Sequence, residues 1–410
     1  MITHIEISGF KSLEKMSLNL GALNIFLATN ASGKSNFFDA LRVLQGIGYG
    51  LTIGEIFDGK PKSANSEVWD PIRGGSANAG FLRWKSGEAK PVRDAVRLKV
   101  TLTSSELDQP LTYALWVACR AGAVWSESLH SGDTRIFDTG PSTARSRKSP
   151  TIRVSYYDDR GRQLNERFEK SRPVLHQLLK FQQASEQHRG LIAACSRLLS
   201  NAQFLNPAPA VLQDYSAAPV VRRVGERGEG FAALVESIMS DRHTAAAYTS
   251  WLKQLTPAEV GEIVTLHGAL QEPLFAIKRR GQAFPAPVLS DGTLRFAAIT
   301  AAFFQPDMPD ELMLEEIENG IHPTRLRLLI ELLKSRTAGG RPQVMATSHS
   351  PLVLAWLNEE DYKTTFYCKK DEETGASTIT PLAEIPRFQE LARKQPAADL
   401  FAEGWLETAL

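Results

Sequence analysis

Three groups of residues in this 410-residue chain have the types and spacing to hold a phosphate chain and to activate a water beside it. The first is the octet Ala28-Thr29-Asn30-Ala31-Ser32-Gly33-Lys34-Ser35. A loop of this composition turns its backbone N–H groups inward on phosphate oxygens, and the helix that follows adds its positive end. Asn30, Ala31, Ser32 and Gly33 supply that backbone, Lys34 reaches the β- and γ-phosphates, and the Ser35 hydroxyl holds Mg²⁺. Gly33 is needed where the chain approaches phosphate too closely for a Cβ. The octet departs from G-x-x-x-x-G-K-[ST] at its first position, where Ala28 replaces Gly. Alanine is the smallest substitute and leaves a stiffer loop.

The second group is Glu315 and Glu316, at the end of the apolar Leu312-Met313-Leu314. Glu315 is placed to hold the Mg²⁺ hydration shell and Glu316 to polarise the attacking water as general base. Glu rather than Asp at 315 lengthens the arm by one methylene, so the metal is reached through water. An acidic loop after a core strand, the plainer reading, fits Glu318 better than it fits these two. The third group is Ser348-His349-Ser350, after Gln343-Val344-Met345-Ala346-Thr347. A histidine there can hydrogen-bond the γ-phosphate or the water as either tautomer. Alone it reads as a structural histidine; its place after the acidic strand points to function.

Each group needs an element behind it. Leu23-Asn24-Ile25-Phe26-Leu27 is a short, branched run of strand type, and Asn36 to Leu44 carries its apolar residues at helical spacing, so the octet lies between strand and helix. Glu311 to Leu314 and Gln343 to Thr347 read as buried parallel strands, whose C-terminal ends are where open α/β sheets bind ligands. The class is α/β: a P-loop NTPase sheet, mixed or parallel, flanked by helices.

Leu289-Ser290-Asp291-Gly292-Thr293-Leu294-Arg295 resembles the signature motif of ABC-type ATPases, and Glu315-Glu316-Ile317-Glu318-Asn319-Gly320-Ile321-His322-Pro323 resembles their Walker B and D-loop, with His349 matching their switch histidine. Ile5-Glu6-Ile7-Ser8-Gly9-Phe10-Lys11-Ser12-Leu13, followed by Asn30 to Asn36, is similar to the RecF/SMC branch, and most of all to small bacterial AAA family ATPases related to the overcoming-lysogenization-defect (OLD) proteins. The resemblance covers about residues 1–50 and 280–355. It implies an ABC-type ATPase head in which two ATP with Mg²⁺ are buried between two copies of the chain. Ser290, Asp291 and Gly292 of one copy then cap the γ-phosphate in the loop of the other. It also implies nucleotide contacts at Asn36 and at Lys11, which reads equally as a solvated lysine. Asp291 and Thr293 stand where transporter subunits carry Gly and Gln, and favour the RecF/SMC branch. Ile72 to Ala79 resembles the stretch leading into the Q-loop; no glutamine stands out beyond it.

The net charge of +1 gives no global case for nucleic acid or membrane binding. Three basic clusters (Arg145, Arg147, Lys148; Arg222, Arg223, Arg227; Lys278, Arg279, Arg280) read first as solvated loops and second as nucleic-acid contacts. Three cysteines without metal spacing suggest a reducing compartment and buried thiols. With no signal peptide and no run of about 18 apolar residues, the expectation is a cytoplasmic protein without a membrane partner.

Four segments are expected. Residues 1–160 form an N-terminal lobe with the phosphate loop and an antiparallel β subdomain, which includes Val96 to Leu102 and Tyr113 to Ala118. A helical insertion spans 161–275, turning helical from about Asn165 to Leu205 and again at Phe231 to Ile238; it lacks sustained heptads, so a long coiled-coil arm is not expected. Residues 276–370 form a C-terminal lobe with signature, carboxylates and histidine, and 371–410 a hairpin and helical tail. About sixty residues follow His349, too few for the TOPRIM nuclease domain of OLD relatives. The leading expectation is a slow ATPase, dimeric or of higher order, that serves a bacterial anti-phage defence system as sensor or scaffold for a separately encoded effector. The alternative is a RecF-like DNA-maintenance ATPase. A transporter subunit, or a nucleotide binder without turnover, ranks below both.

Overall fold

Strict alternation of apolar residues lays down the first half of the chain, and short continuous apolar runs the second. In the computed structural model, which describes residues 1–28, 32–60, 69–83, 92–93, 95–141, 143, 148–217, 220–255 and 261–409, these patterns fall into two compact units. Asn30, Ala31, Arg145 and Arg147 lie outside the described residues. One unit comprises Met1–Gly21, Ala28–Ala202 and Tyr367–Thr380; the other comprises Ala22–Leu27, Gln203–Phe366 and Pro381–Leu410.

Strands β1 (Ile2–Phe10) and β2 (Leu13–Asn19) open the first unit, and β3 (Leu23–Leu27) belongs to the second. The first unit continues with two-residue strands β4 (Leu82–Arg83) and β5 (Val92–Arg93), then β6 (Val96–Leu102), β7 (Leu111–Ala118), β8 (Ala123–Ser131), β9 (Thr134–Asp138), β10 (Thr151–Tyr157) and β11 (Gln163–Glu169). Eight of these form an antiparallel sheet in the order β11-β10-β9-β8-β7-β6-β1-β2. In β6, Val96, Leu98, Val100 and Leu102 point inward while Arg97 and Lys99 face solvent, the period-2 pattern of a half-buried strand. Residues 163–169 are therefore strand and not the start of a helical region. Gln163-Leu164-Asn165-Glu166-Arg167-Phe168-Glu169 is an edge strand that buries only Phe168, so its sequence carries no alternation to read. The helices Val174–Leu179 and Glu186–Ser200 follow, and β12 (Ala202–Leu205), a buried strand, ends the stretch expected to be helical.

Helix α1 (Lys34–Gly48) buries Phe37, Phe38, Leu41, Val43, Leu44 and Ile47 in this unit. The unit also buries Glu127, whose carboxylate accepts from the Val174 and Leu175 N–H groups (2.7 Å each) and from the Tyr113 hydroxyl (3.0 Å). Burial raises this carboxyl from 4.5 to about 7, against those three hydrogen bonds, which favour the anion. The folded state thus holds the proton more tightly than the unfolded chain, so Glu127 stabilises fully at acid pH and that contribution is lost as pH rises through about 7. The fall is at most about 3 kcal/mol, and Glu127→Gln is expected to flatten it in denaturant titrations between pH 4.5 and 7.5. An unchanged slope in the variant would refute this.

In the second unit β13 (Glu262–His267), β14 (Pro273–Arg279) and β15 (Gln282–Pro285) form a small antiparallel sheet. Its main sheet contains β16 (Glu311–Leu314) and β17 (Gln343–Ser348), with β3 parallel to β17 in the order β12-β16-β17-β3-β18. Strand β18 (Thr365–Lys370) starts here, where the Ile25 N–H donates to the Thr364 carbonyl at 3.0 Å and Phe26 stacks on Phe366. Its last residues belong to the first unit and precede β19 (Ser377–Pro381). All four residues of β16 and all six of β17 are buried, as for strands covered on both faces. The helix Asp291–Ala302, hereafter the signature helix, buries every residue from Gly292 onward, in keeping with its apolar composition.

Pro351 opens a 3₁₀ segment, Pro351–Trp356. Cys119, Cys195 and Cys368 are free and buried. No helix among the described residues is long and apolar enough to cross a membrane.

Candidate functional site

The first unit carries the residues of the phosphate-loop motif. Gly33, at φ 105, precedes α1 as its N-cap and offers no side chain to the helix's first N–H groups. A Cβ at Gly33 would overlap the Ser377 hydroxyl and press on that of Ser12, so this glycine is required by packing as well as by backbone angle. Those two hydroxyls lie 2.7 Å apart, and Asn36 Nδ2 donates to Ser12 Oγ at 2.7 Å. Lys34 is buried, its ammonium donating to the Ala28 carbonyl at 3.0 Å. Among the described residues Ser32 Oγ is buried without a hydrogen-bond partner. Ser35 is exposed.

Lys11, at φ 49, is not a solvated surface residue. Its ammonium pairs with Asp39 of α1, and burial pulls it below its usual range against the attraction of that carboxylate. Arg73 joins the same carboxylate (Nε to Oδ1, 3.3 Å) and donates to the Ser35 carbonyl at 3.2 Å. Asp39 was readable as the lone acid on an apolar helix face; its two cations, 28 and 34 positions away, were not.

The second unit carries the signature, carboxylate and histidine motifs. Ser290 is the N-cap of the signature helix, accepting from the Thr293 N–H (3.3 Å), and is exposed with Asp291. Gly292 lies so close to the D-loop that a Cβ would overlap the Gly320 carbonyl oxygen. Glu315 and Glu316 leave the C-terminal end of β16, with the Glu315 N–H donating to the Leu205 carbonyl at 3.2 Å. Glu316 adopts φ 50, and its N–H donates to Thr347 Oγ1 at 2.9 Å. Its carboxylate is flanked by the Asn319 amide, which donates to it, and by His349, whose Nε2 is 3.8 Å from Oε1. The His349 N–H donates to Glu318 Oε1 at 2.5 Å. Structure thus brings Glu316 and His349 together, and adds Thr347 and Asn319 as residues that the motif spacing did not reveal.

Arg295 was also missed, although a single cation in an otherwise apolar helix was visible in the sequence. Its guanidinium is buried. Nη1 donates to Asn206 Oδ1 (3.3 Å) and to the Pro207 carbonyl, and Nη2 donates to the Glu316 carbonyl at 3.3 Å. Two of the basic clusters are partly engaged: Arg222 forks onto Asp307, Arg223 donates to the Asp307 carbonyl, and Lys278 pairs with Glu262.

Residues 268–355 match the family described as "AAA domain, putative AbiEii toxin, Type IV TA system", and residues 1–49 match "Protein of unknown function (DUF2813)". No curated protein matches the chain. Among solved structures, the fold is similar to an SMC head bound to the C-terminal winged-helix domain of ScpA (14% identity, TM-score 0.53, covering 92% of this chain and 96% of that one). It is similar also to the SMC head with an extended coiled coil, bound to the C-terminal domain of ScpA, from Pyrococcus furiosus (11% identity, TM-score 0.51, covering 96% and 99%). The AAA family match is confined to residues 268–355, and the fold as a whole is similar to that of the solved SMC heads.

Proposed function

We propose that the chain hydrolyses ATP as a homodimer that closes around two nucleotides, and that it regulates a separately encoded effector. The observation that carries the reading is the D-loop constellation: Glu316 held at the end of β16 by Thr347, Asn319 and His349. Glu316 takes the proton of the attacking water, and His349 orients that water or the γ-phosphate. Lys34 and the α1 N-terminus bind the β- and γ-phosphates, with Asn30, Ala31, Ser32 and Asn36 completing the loop and Lys11 nearby. The buried, unpartnered Ser32 hydroxyl fits such a ligand. Ser35 and Glu315 are all-oxygen donors of the kind Mg²⁺ takes, which would neutralise charge on the transferring phosphoryl group.

Ser290, Asp291 and Gly292 then serve the nucleotide of the second copy. Ser290 and Asp291 are exposed at the signature helix's N-terminus, where partial positive charge favours an anion. The toxin–antitoxin wording of the matched family supports a role in defence against phage, and the SMC heads solved with ScpA fragments support partner binding. The ion pairs of Arg222 and Lys278 favour this reading over a DNA-maintenance ATPase.

Light scattering coupled to size exclusion tests the sandwich. With ATP and Mg²⁺ the wild type should double its mass, while Gly292→Ala should stay monomeric because a Cβ there displaces the helix end from Gly320. A mass indifferent to ATP in the wild type removes the dimer.

A further inference from the structure

Of the buried polar atoms in the second unit that lack a hydrogen-bond partner among the described residues, two have opposite character. One is Arg295 Nε, in the signature helix; the other is Glu318 Oε2, in the D-loop. Such orphans are rare in folded proteins, and each costs free energy unless a second arrangement satisfies it. The carboxylates of Glu318 and Glu316 both act on the guanidinium, partly offsetting the burial that pulls Arg295 below its usual range. An arginine and a glutamate that already feel one another, each with one idle hydrogen-bonding atom, form half-made contacts of a second state.

Their other contacts show what that state would couple. The two Nη atoms of Arg295 are committed to Asn206, Pro207 and the Glu316 carbonyl. The other oxygen of Glu318 accepts from the backbone of His349. Gly292, one helical turn before Arg295, rests on Gly320. Any shift of the signature helix along its axis must therefore pull on the backbone of Glu316, which already sits at φ 50.

We propose that Arg295 is a positioning residue: when a phosphate is engaged at Ser290 and Gly292, the signature helix moves enough for Arg295 Nε–H to close on Glu318 Oε2, fixing the Glu316 carboxylate and His349 for attack. This rests on the sandwich reading above, and extends it by making each chain's catalytic carboxylate sense the nucleotide held by the other copy. Bound ATP on one side thereby sets the hydrolysis rate on the other.

The test is a double-mutant cycle on ATP hydrolysis using full-length protein. Arg295→Met and Glu318→Gln should each lower kcat, by about thirtyfold and tenfold, with KM changed less than twofold. The double variant should be no slower than Arg295→Met alone, because both changes remove one contact. The Hill coefficient for ATP should fall from near 2 to near 1 in all three. Arg295→Lys serves if Met does not fold: one ammonium cannot reach Asn206, Pro207 and Glu316 together, so kcat should still fall about tenfold with KM kept. Effects that multiply in the double variant overturn the proposal, as do variants that lose melting temperature but keep kcat and cooperativity. A wild type that binds and hydrolyses ATP without cooperativity overturns this inference while leaving an ATPase; a wild type with no ATP turnover removes both.

Discussion

Glu316→Gln is expected to hold ATP and fail to turn it over, with single-turnover hydrolysis falling by about 10²–10⁴, the range for loss of a positioned general base. The substitution keeps the size and shape of the side chain. Its backbone N–H still meets Thr347, and an amide oxygen still accepts from Asn319. What is lost is the proton acceptor beside His349. Melting temperature should therefore match the wild type, separating chemistry from folding. In the proposed dimer, release of the second copy requires hydrolysis, so the variant dimer should persist through gel filtration with ATP where the wild-type dimer decays. Turnover within twofold of wild type would dismiss Glu316 as the base.

Lys34→Ala is expected to weaken ATP binding by at least about 100-fold, as removal of a charged donor from two phosphates should, measured by calorimetry with Mg²⁺ present. The buried ammonium also donates to the Ala28 carbonyl. Alanine removes a buried cation along with that bond, and the fold should lose little, since an imperfectly solvated charge leaves with it. Retained micromolar affinity with an intact fold would mean that the phosphates bind elsewhere.

The two variants fail in opposite ways, one by never binding and the other by never letting go. Their effects on the proposed dimer should differ accordingly, with Lys34→Ala monomeric under all conditions.

The parts of the site that were legible are those where chemistry is local. The Gly33-Lys34-Ser35 triplet, the carboxylates that end β16 and the histidine that follows β17 each lie within a few residues of a continuous apolar strand, and all three strands form where those runs predict. The sheet of the first unit was legible as far as alternation lasted: β6 and β7 are clear, while β11 exposes both faces and reads as helix. Contacts across long sequence distances were silent. Nothing in Arg295 announces Asn206, 89 positions earlier, and nothing in Gly33 announces Ser377, which makes the glycine obligatory. The tail shows the same limit: Trp405 packs near Phe388 rather than standing free, a contact that depends on two turns between short helices.

The left-handed backbone of Glu316 has one more implication. Glutamate is poorly suited to φ 50, a conformation that glycine and asparagine accept at lower cost, so the residue proposed as the base also burdens the fold that carries it. If Glu316 is the base proposed above, selection for turnover would keep a carboxylate there. In a related chain that had given up hydrolysis and kept only its grip on nucleotide, this position would be the first to drift toward glycine or asparagine, and its identity would tell a working motor from a retired one.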